Sequence, residues 1–598
     1  MTIPSTGTRS MNRLARYALL PLAPLLIAAQ DPGEIEIEPV PPPEELRSEA
    51  FVAAQYAQIS SAAAAVDKVT ARFSAGDNAL AQLEQQRDEK LAELQAIDRQ
   101  FTALIERGDQ VSEEQRRELA ERRRSVREEV TAIEDRINTD FPQYFELTRP
   151  KPLAIAQAQA LLNEDEAMLV VLVADDASYV WGLTRDKADW IRSEAMNEKA
   201  LAEAVATLRS SMGVKDTRSG GVIDQTEGEE QTDAGTLVSY AARPFDRKLA
   251  YRIYSELIAP LEDTIGGKEV LLTQVSGALT ALPLGLLVTS DPEGRDDDAN
   301  ALRRTDWLID DYALAELPSV SSLRALRCLL IARAEDAHPG CETASGSSNY
   351  ARTARAGVAL AGYGAPTLTG NPATTENAGD AEKAYDGQLA DTEALRGLSK
   401  LPHAKIELEN LGKTFGSAAK IVTGDQATES AVKQSKEIEQ ARFVVFSTHG
   451  LLATEVGSVA EPGLVFTPPS ADAKSETDDG LLTASEAAAL NLAADLVVLS
   501  ACNTAAGSGE PGAEGLSGLA RAFLFAGARS LMVSHWAVSD RATSLLMQNT
   551  FSQLQDGDVA SRARALQTAM QEVRNYPDFT MVNPVFWAPF TLVGEPGA

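Results

Sequence analysis

Two side chains in this sequence can do covalent chemistry together, the imidazole of His449 and the thiol of Cys502, and each follows a short apolar run. Phe443-Val444-Val445-Phe446 leads into Ser447-Thr448-His449-Gly450, and Leu496-Val497-Val498-Leu499 leads into Ser500-Ala501-Cys502-Asn503-Thr504. A thiol with an ordinary pKa of about 8.5 is mostly protonated at neutral pH, so a nucleophilic cysteine needs an imidazole or another electropositive group beside it. The same imidazole can then protonate a leaving amine. Gly450 follows the histidine directly, and a residue without Cβ lets its N–H approach a substrate carbonyl closely. The N–H groups of Gly450 and Cys502 are therefore the expected oxyanion donors. A plainer reading has His449 capping a strand and Cys502 packed as a small hydrophobe. Spacing alone leaves both open.

The elements that must position these groups are legible around them. Runs of four large or β-branched apolar residues bounded by small polar ones read as strands covered on both faces, as in a parallel sheet. Functional groups in such sheets sit just beyond the carboxyl ends of the strands, where both His449 and Cys502 fall. Residues 358–364 read as a first strand of the same sheet, 365–395 as loop, 404–415 as a helix that His403 precedes, and 421–424 as a second strand. This βαβ rhythm implies right-handed crossovers. After Cys502 come a Gly-rich stretch over 505–514, a helix over 516–526 and a strand over 529–535 that ends at His535 and Trp536. The place of His535 at a strand end points to core packing. Upstream, 167–173 and 178–183 read as a strand pair, 269–273 as a buried strand, and 307–309 with 312–314 as its continuation. The stretch 213–236, rich in Gly, Asp, Glu and Thr, reads as a disordered surface loop. This upstream region lacks a His/Cys pair and reads as scaffold.

Several strings carry a family likeness. Phe-Ser-Thr-His-Gly-Leu-Leu, Val-Leu-Ser-Ala-Cys-Asn-Thr, Glu-Gly-Leu-Ser-Gly-Leu-Ala-Arg-Ala-Phe-Leu-Phe-Ala-Gly-Ala, Trp-Ala-Val-Ser-Asp-Arg-Ala-Thr and the terminal Trp-Ala-Pro-Phe-Thr-Leu-Val-Gly resemble a CHAT domain, in family order, from about Lys151 to Gly594. The resemblance implies an α/β fold, a caspase-like parallel-sheet sandwich with a non-catalytic front half and a catalytic back half. It also implies a cysteine endopeptidase whose dyad maps onto His449 and Cys502. In relatives the turn after the nucleophile helix lines the pocket for the residue preceding the cut, which makes Asp540 a candidate selector of Arg or Lys, alongside a role capping the helix that follows. Departures are Asn503, where many relatives carry a longer acidic or amide side chain, and Asn583-Pro584 in place of His-Pro.

With 598 residues the chain holds more than one unit, and 55 basic against 87 acidic residues give a net charge of -32, which argues against a nucleic-acid phosphate surface. Arg9, Arg13 and Arg16 before an apolar core at 17–27 read as a signal peptide over 1–29, with an uncleaved N-terminal anchor as the alternative. An acidic Pro-rich linker follows over 30–45. Residues 46–148 read as a helical, coiled-coil hairpin arm: Leu80 to Leu104 and Leu119 to Ile137 carry apolar stripes, and Ser112-Glu113-Glu114-Gln115 restarts the second as a capping box. The front half spans 149–334, a linker 335–356 whose His338 is expected to be solvated, and the catalytic half 357–598. Of three cysteines, Cys328 reads either as core or as the partner of Cys341 in a disulfide; no Cys/His cluster has metal-ligand spacing. The expected reaction needs no cofactor. Its partners are a protein or peptide substrate and a regulatory protein on the arm, with no stable membrane anchor once the signal is cut and an exported, periplasmic or extracellular location. The rival readings are a silent caspase-like scaffold for protein interaction and an acyl or amide transferase using the same thioester.

Overall fold

A computed structural model describes residues 44–58, 113–140, 151–212, 214–215, 222–223, 244–329, 338–342, 358–370, 385–386, 389–451, 462–475, 478–500, 518–536, 540–555 and 561–597, with scattered helical positions between 82 and 97. The expected signal segment, the Pro-rich linker before residue 44, most of the 213–236 loop and Cys502 lie outside them. Among the described residues no helix is long and apolar enough to cross a membrane.

One sheet of 11 strands runs through the protein. Its front-half strands are β1 (Glu166–Val173), β2 (Ser178–Thr184), β3 (Ala188–Ser193), β4 (Val270–Val275) and β5 (Ala313–Glu316). The back half supplies β6 (Leu360–Pro366), β7 (Ala419–Gly424) and β8 (Phe443–Ser447), then, beyond a separate ladder of β9 (Gly450–Leu451), β10 (Gly463–Val465) and β11 (Leu481–Thr483), β12 (Leu496–Ser500), β13 (Ser530–Ser534) and β14 (Phe590–Gly594). The spatial order is β7-β6-β8-β12-β13-β14-β5-β4-β1-β2-β3. β14 is antiparallel to β13 and parallel to β5, so the parallel strands of the two halves run in opposite directions. The seam between halves rests on one register pair, Val593 with Glu316.

Helices cover both faces of the back half because its central strands are apolar on both. One face carries α5 (Pro402–Phe415), α8 (Asp540–Gln555) and α9 (Arg562–Arg574), the other α6 (Ala484–Ala488) and α7 (Gly518–Phe525). In the front half α3 (Glu198–Ser211) and α4 (Arg247–Leu257) pack on the sheet. The helix over 44–58, α1, belongs with the front half: Phe51 meets Trp181 edge-on at 6.1 Å, and Gln55 exchanges hydrogen bonds with Leu153 in both directions. Farther along, α2 (Glu113–Asp140) pairs antiparallel with the 82–97 stretch, Leu83 meeting Ile137, Lys90 reaching Glu129 at 2.6 Å and Arg122 reaching Glu93 at 3.0 Å. Phe525 of α7 packs against this arm.

Some expectations are corrected. Residues 308–311 form a short helix, not sheet; Trp307 is fully buried and only bridges Val288, its ring edge-on to Trp587 at 5.2 Å. Residues 392–396 are helical inside the stretch read as loop, capped by the Asp391 side chain. His338 is half-buried, with Nε2 at 3.1 Å from Asn163 Oδ1, because a Cys328–Cys341 disulfide draws 338–342 onto the front half.

At the end of β14, Glu595 lies buried among arginines from both halves. Its carboxylate pairs with Arg562, with Arg529 at 3.3 Å and with Arg327 at 3.7 Å, and Arg327 also pairs with buried Glu166 at 2.5 Å. Burial opposes ionisation of Glu595, yet the three guanidinium groups hold its carboxyl below the usual range. Removing this hub strands buried cations, so Glu595→Ala is expected to cost about 3–5 kcal/mol in urea unfolding.

Beside the seam, Glu316 lines a cavity of about 30 Å³ with Thr273, Gln567, Trp587 and Thr591, and burial pushes its carboxyl up to about 8. A carboxyl raised in the folded state binds its proton more tightly than in the unfolded chain. Stability therefore falls as pH rises from the ordinary carboxylate range through about 8. Glu316→Gln is expected to flatten that slope, measured as the thermal midpoint between about pH 5 and about pH 9.

Candidate active site

β8 forms because Phe443 to Phe446 are aromatic or β-branched and every residue from Phe443 to Ser447 is buried. It lies between β6 and β12, both parallel to it, with Ser447 opposite Gly364 on one side and Ser500 on the other. Gly364 must be glycine, since a Cβ there would sit 2.0 Å from the Ser447 carbonyl oxygen. Adjacent strands stand about 4.8 Å apart. The ends of β8 and β12 are thus level, and His449 and Cys502 each follow their strand by two residues. The structure describes His449; Cys502, Asn503 and the rest of 501–517 lie outside the described residues.

The chain beyond β8 is caught by the small ladder. Thr448 Oγ1 donates to the Val465 carbonyl, and the Val465 N–H donates to the His449 carbonyl at 2.9 Å. That bond makes Gly450 and Leu464 a non-hydrogen-bonded antiparallel pair, so the Gly450 N–H points away from β10. It is turned out of the ladder as an oxyanion donor must be.

The His449 ring is fixed by a group that has no signature in the sequence. Nε2 lies 2.8 Å from the backbone carbonyl oxygen of Ser399, in the turn before α5. A carbonyl only accepts, so Nε2 carries the hydrogen and Nδ1 keeps its lone pair in the neutral ring. Burial lowers the imidazole pKa, and the Ser399 carbonyl opposes this only in part, so the ring is neutral at pH 7. A neutral imidazole with a defined basic nitrogen is what deprotonating a thiol requires. Ser500 Oγ donates to Glu407 Oε2 of α5 at 3.1 Å, a second contact from the same stretch of chain to a strand end.

Other titratable groups take structural places. His535 is buried, its Nε2 lies 2.9 Å from Thr591 Oγ1, and burial pushes its pKa down to about 3. It packs in the core, as the sequence suggested. Asn583, at the position of the family's histidine, caps Pro584–Trp587 by accepting from the Val585 N–H at 3.1 Å. Asp540 is the first residue of α8; its side chain is outside the described set. Among the described residues no group of three potential ligands could hold a metal ion.

A family model described as the CHAT domain matches residues 247–595. Tetratricopeptide repeat protein 28 of Mus musculus is 31% identical over 220 residues, covering 33% of this chain and 9% of that protein. The Homo sapiens protein of that name is 29% identical over 222 residues, covering 33% and 8%. The chain therefore spans under a tenth of either relative. Among solved structures, the Saccharomyces cerevisiae separase–securin complex aligns with a TM-score of 0.40 at 11% identity, over 76% of this chain and 33% of that chain. The Arg-specific cysteine proteinase gingipain R aligns with a TM-score of 0.30 at 11% identity, over 73% and 78%.

The tautomer is directly measurable. In ¹⁵N spectra of the labelled protein at neutral pH, His449 is expected to show a protonated Nε2 and an unprotonated Nδ1, titrating below the ordinary imidazole range.

Proposed function

Because the chain belongs to the CHAT domain family, we propose that it is a cysteine endopeptidase acting through Cys502 and His449. The observation that carries this reading is the His449 ring: neutral, held through Nε2 by the Ser399 carbonyl, and set at the end of a strand in register with the one that leads to Cys502. In the reaction His449 takes the thiol proton, and the thiolate attacks the scissile carbonyl carbon. The oxyanion of the tetrahedral adduct receives the N–H groups of Gly450 and Cys502. As the C–N bond breaks, the imidazolium gives its proton to the leaving amine, and a thioester remains. Water, deprotonated by the same imidazole, then attacks the thioester and releases the carboxylate and the free thiol. No step calls for a cofactor.

The substrate is a protein or peptide, and the helical arm, which touches Phe525 of α7 just after the Cys502 segment, is the place for a regulatory protein. We place the protein in an exported compartment; the Arg-flanked apolar segment at its start and the Cys328–Cys341 disulfide support this.

The test is labelling of purified protein with peptide-derived electrophiles, followed by turnover of the matching peptides. Wild type is expected to label at Cys502. Cys502→Ala should abolish labelling, and His449→Ala should lower kcat/KM by about 10³-fold or more. Absence of labelling in wild type, with partner proteins supplied, would favour the scaffold reading. Labelling followed by transfer to an added amine in preference to water would favour the transferase.

A further inference from the structure

We propose that the cavity beside the seam between the two halves is a binding site for a primary ammonium group on a slim alkyl stem, with the Glu316 carboxylate as its counter-ion. This holds whether or not the protein is a peptidase. β5 lies inside the sheet, and along it Ala313 and Ala315 are buried whereas Leu314 and Glu316 are half-buried, because these two line the cavity. An inner strand covered by helices calls for apolar side chains at such positions. Here a carboxyl takes one of them. Among the described residues no group donates a hydrogen bond to it or pairs with it, and burial is what acts on its ionisation. A carboxylate in a core without a partner costs free energy, and what its surroundings lack is a positive charge.

The rest of the cavity suits the same ligand. Thr273 stands opposite Glu316 in the parallel register of β4 and β5, so both side chains leave the same face of the sheet. Gln567 of α9 directs its Nε2 to the Ile309 carbonyl at 2.8 Å, which leaves its Oε1 to accept. An ammonium has three donors and no acceptor, a match for a carboxylate, a hydroxyl and an amide oxygen. Leu284, Ile309, Leu314, Leu566 and Met570 wall the space for an alkyl stem. One water takes up roughly 10–15 Å³ of such space, so a volume of about 30 Å³ admits the head group and little more. Among the described residues that line the cavity, Glu316 is the one titratable group. The charges on the elements around it are engaged elsewhere: on α9, Arg562 pairs with Glu595, Arg564 with Asp165 and Arg574 with Asp310, while Arg209 donates to the Ala281 carbonyl at 2.7 Å. His535, bonded to Thr591, is pushed down to about 3 and stays neutral. The proton and the ammonium therefore compete for a single carboxylate. Since burial pushes that carboxyl up to about 8, the ammonium binds more tightly as pH rises through about 8.

The experiment is calorimetric titration of the full chain with methylammonium chloride at about pH 6.5 and about pH 8.5, with sodium chloride at equal ionic strength as the control. Wild type is expected to bind methylammonium about 20-fold more tightly at the higher pH, and at the lower pH to release close to one proton for each ligand bound. Glu316→Gln should weaken binding by about tenfold or more and remove its pH dependence. Thr273→Val, which keeps the carboxylate, should weaken binding about fivefold and retain the pH dependence, so the proposal stays testable if the Gln variant fails to fold. N-acetyl-lysine amide, titrated in parallel, separates two sources of the same chemistry. Binding of both ligands assigns the cavity to a lysine side chain of another protein, and binding of methylammonium alone assigns it to free amines. The proposal is overturned if methylammonium binds no better than sodium, if Glu316→Gln binds it as wild type does, or if the affinity is the same at the two pH values.

Discussion

The fold depends on a buried charge at its centre. Glu595 closes β14 and is met by Arg562 and Arg529 from the back half and by Arg327, which arrives from the front half already paired to Glu166. Each of these groups is costly to desolvate alone, and together they are tolerable in only one arrangement. The seam they guard is slight in backbone terms, a single register pair between β14 and β5. Side chains on either side carry the rest, among them the Trp307 and Trp587 rings. The two half-sheets become one body through a charge cluster and an aromatic contact more than through a long ladder.

That rigid sheet gives the candidate site its precision. His449 is held at both ends, its backbone by Val465 in the small ladder and its ring by the Ser399 carbonyl. Both contacts come from segments outside the main sheet, while the strand beneath is pinned by the close approach of Gly364 to Ser447. A catalytic imidazole needs its tautomer and direction settled before substrate arrives. Here a backbone carbonyl settles both. In this protein His449 is ordered by its own shell.

The strands that flank the dyad could be read from the sequence because they are continuous apolar runs ending in small polar residues, a pattern that burial on both faces imposes. The Ser399 carbonyl could not, because every residue carries a carbonyl and only tertiary structure aims one. Glu407 looked like any acid on an amphipathic helix until the packing showed that its position faces inward. Trp307 to Ile309 misled as a strand because a buried aromatic beside Leu and Ile satisfies the same local pattern in a helix end. The terminal motif Phe590 to Gly594 was legible only as a family string, and nothing local could say that it would form a strand in the middle of the sheet.

That placement governs how the molecule comes into being. β5 waits for a neighbour that the ribosome makes only after everything between Glu316 and Phe590 has been made, so the front half-sheet keeps an open edge through the synthesis of the back half. Contacts this distant in sequence form slowly. The strands leading to His449 and Cys502 are therefore made before the strand that joins the halves, and a chain interrupted shortly before β14 holds both residues without it. The two half-sheets are therefore one body only in a molecule whose β14 has been made.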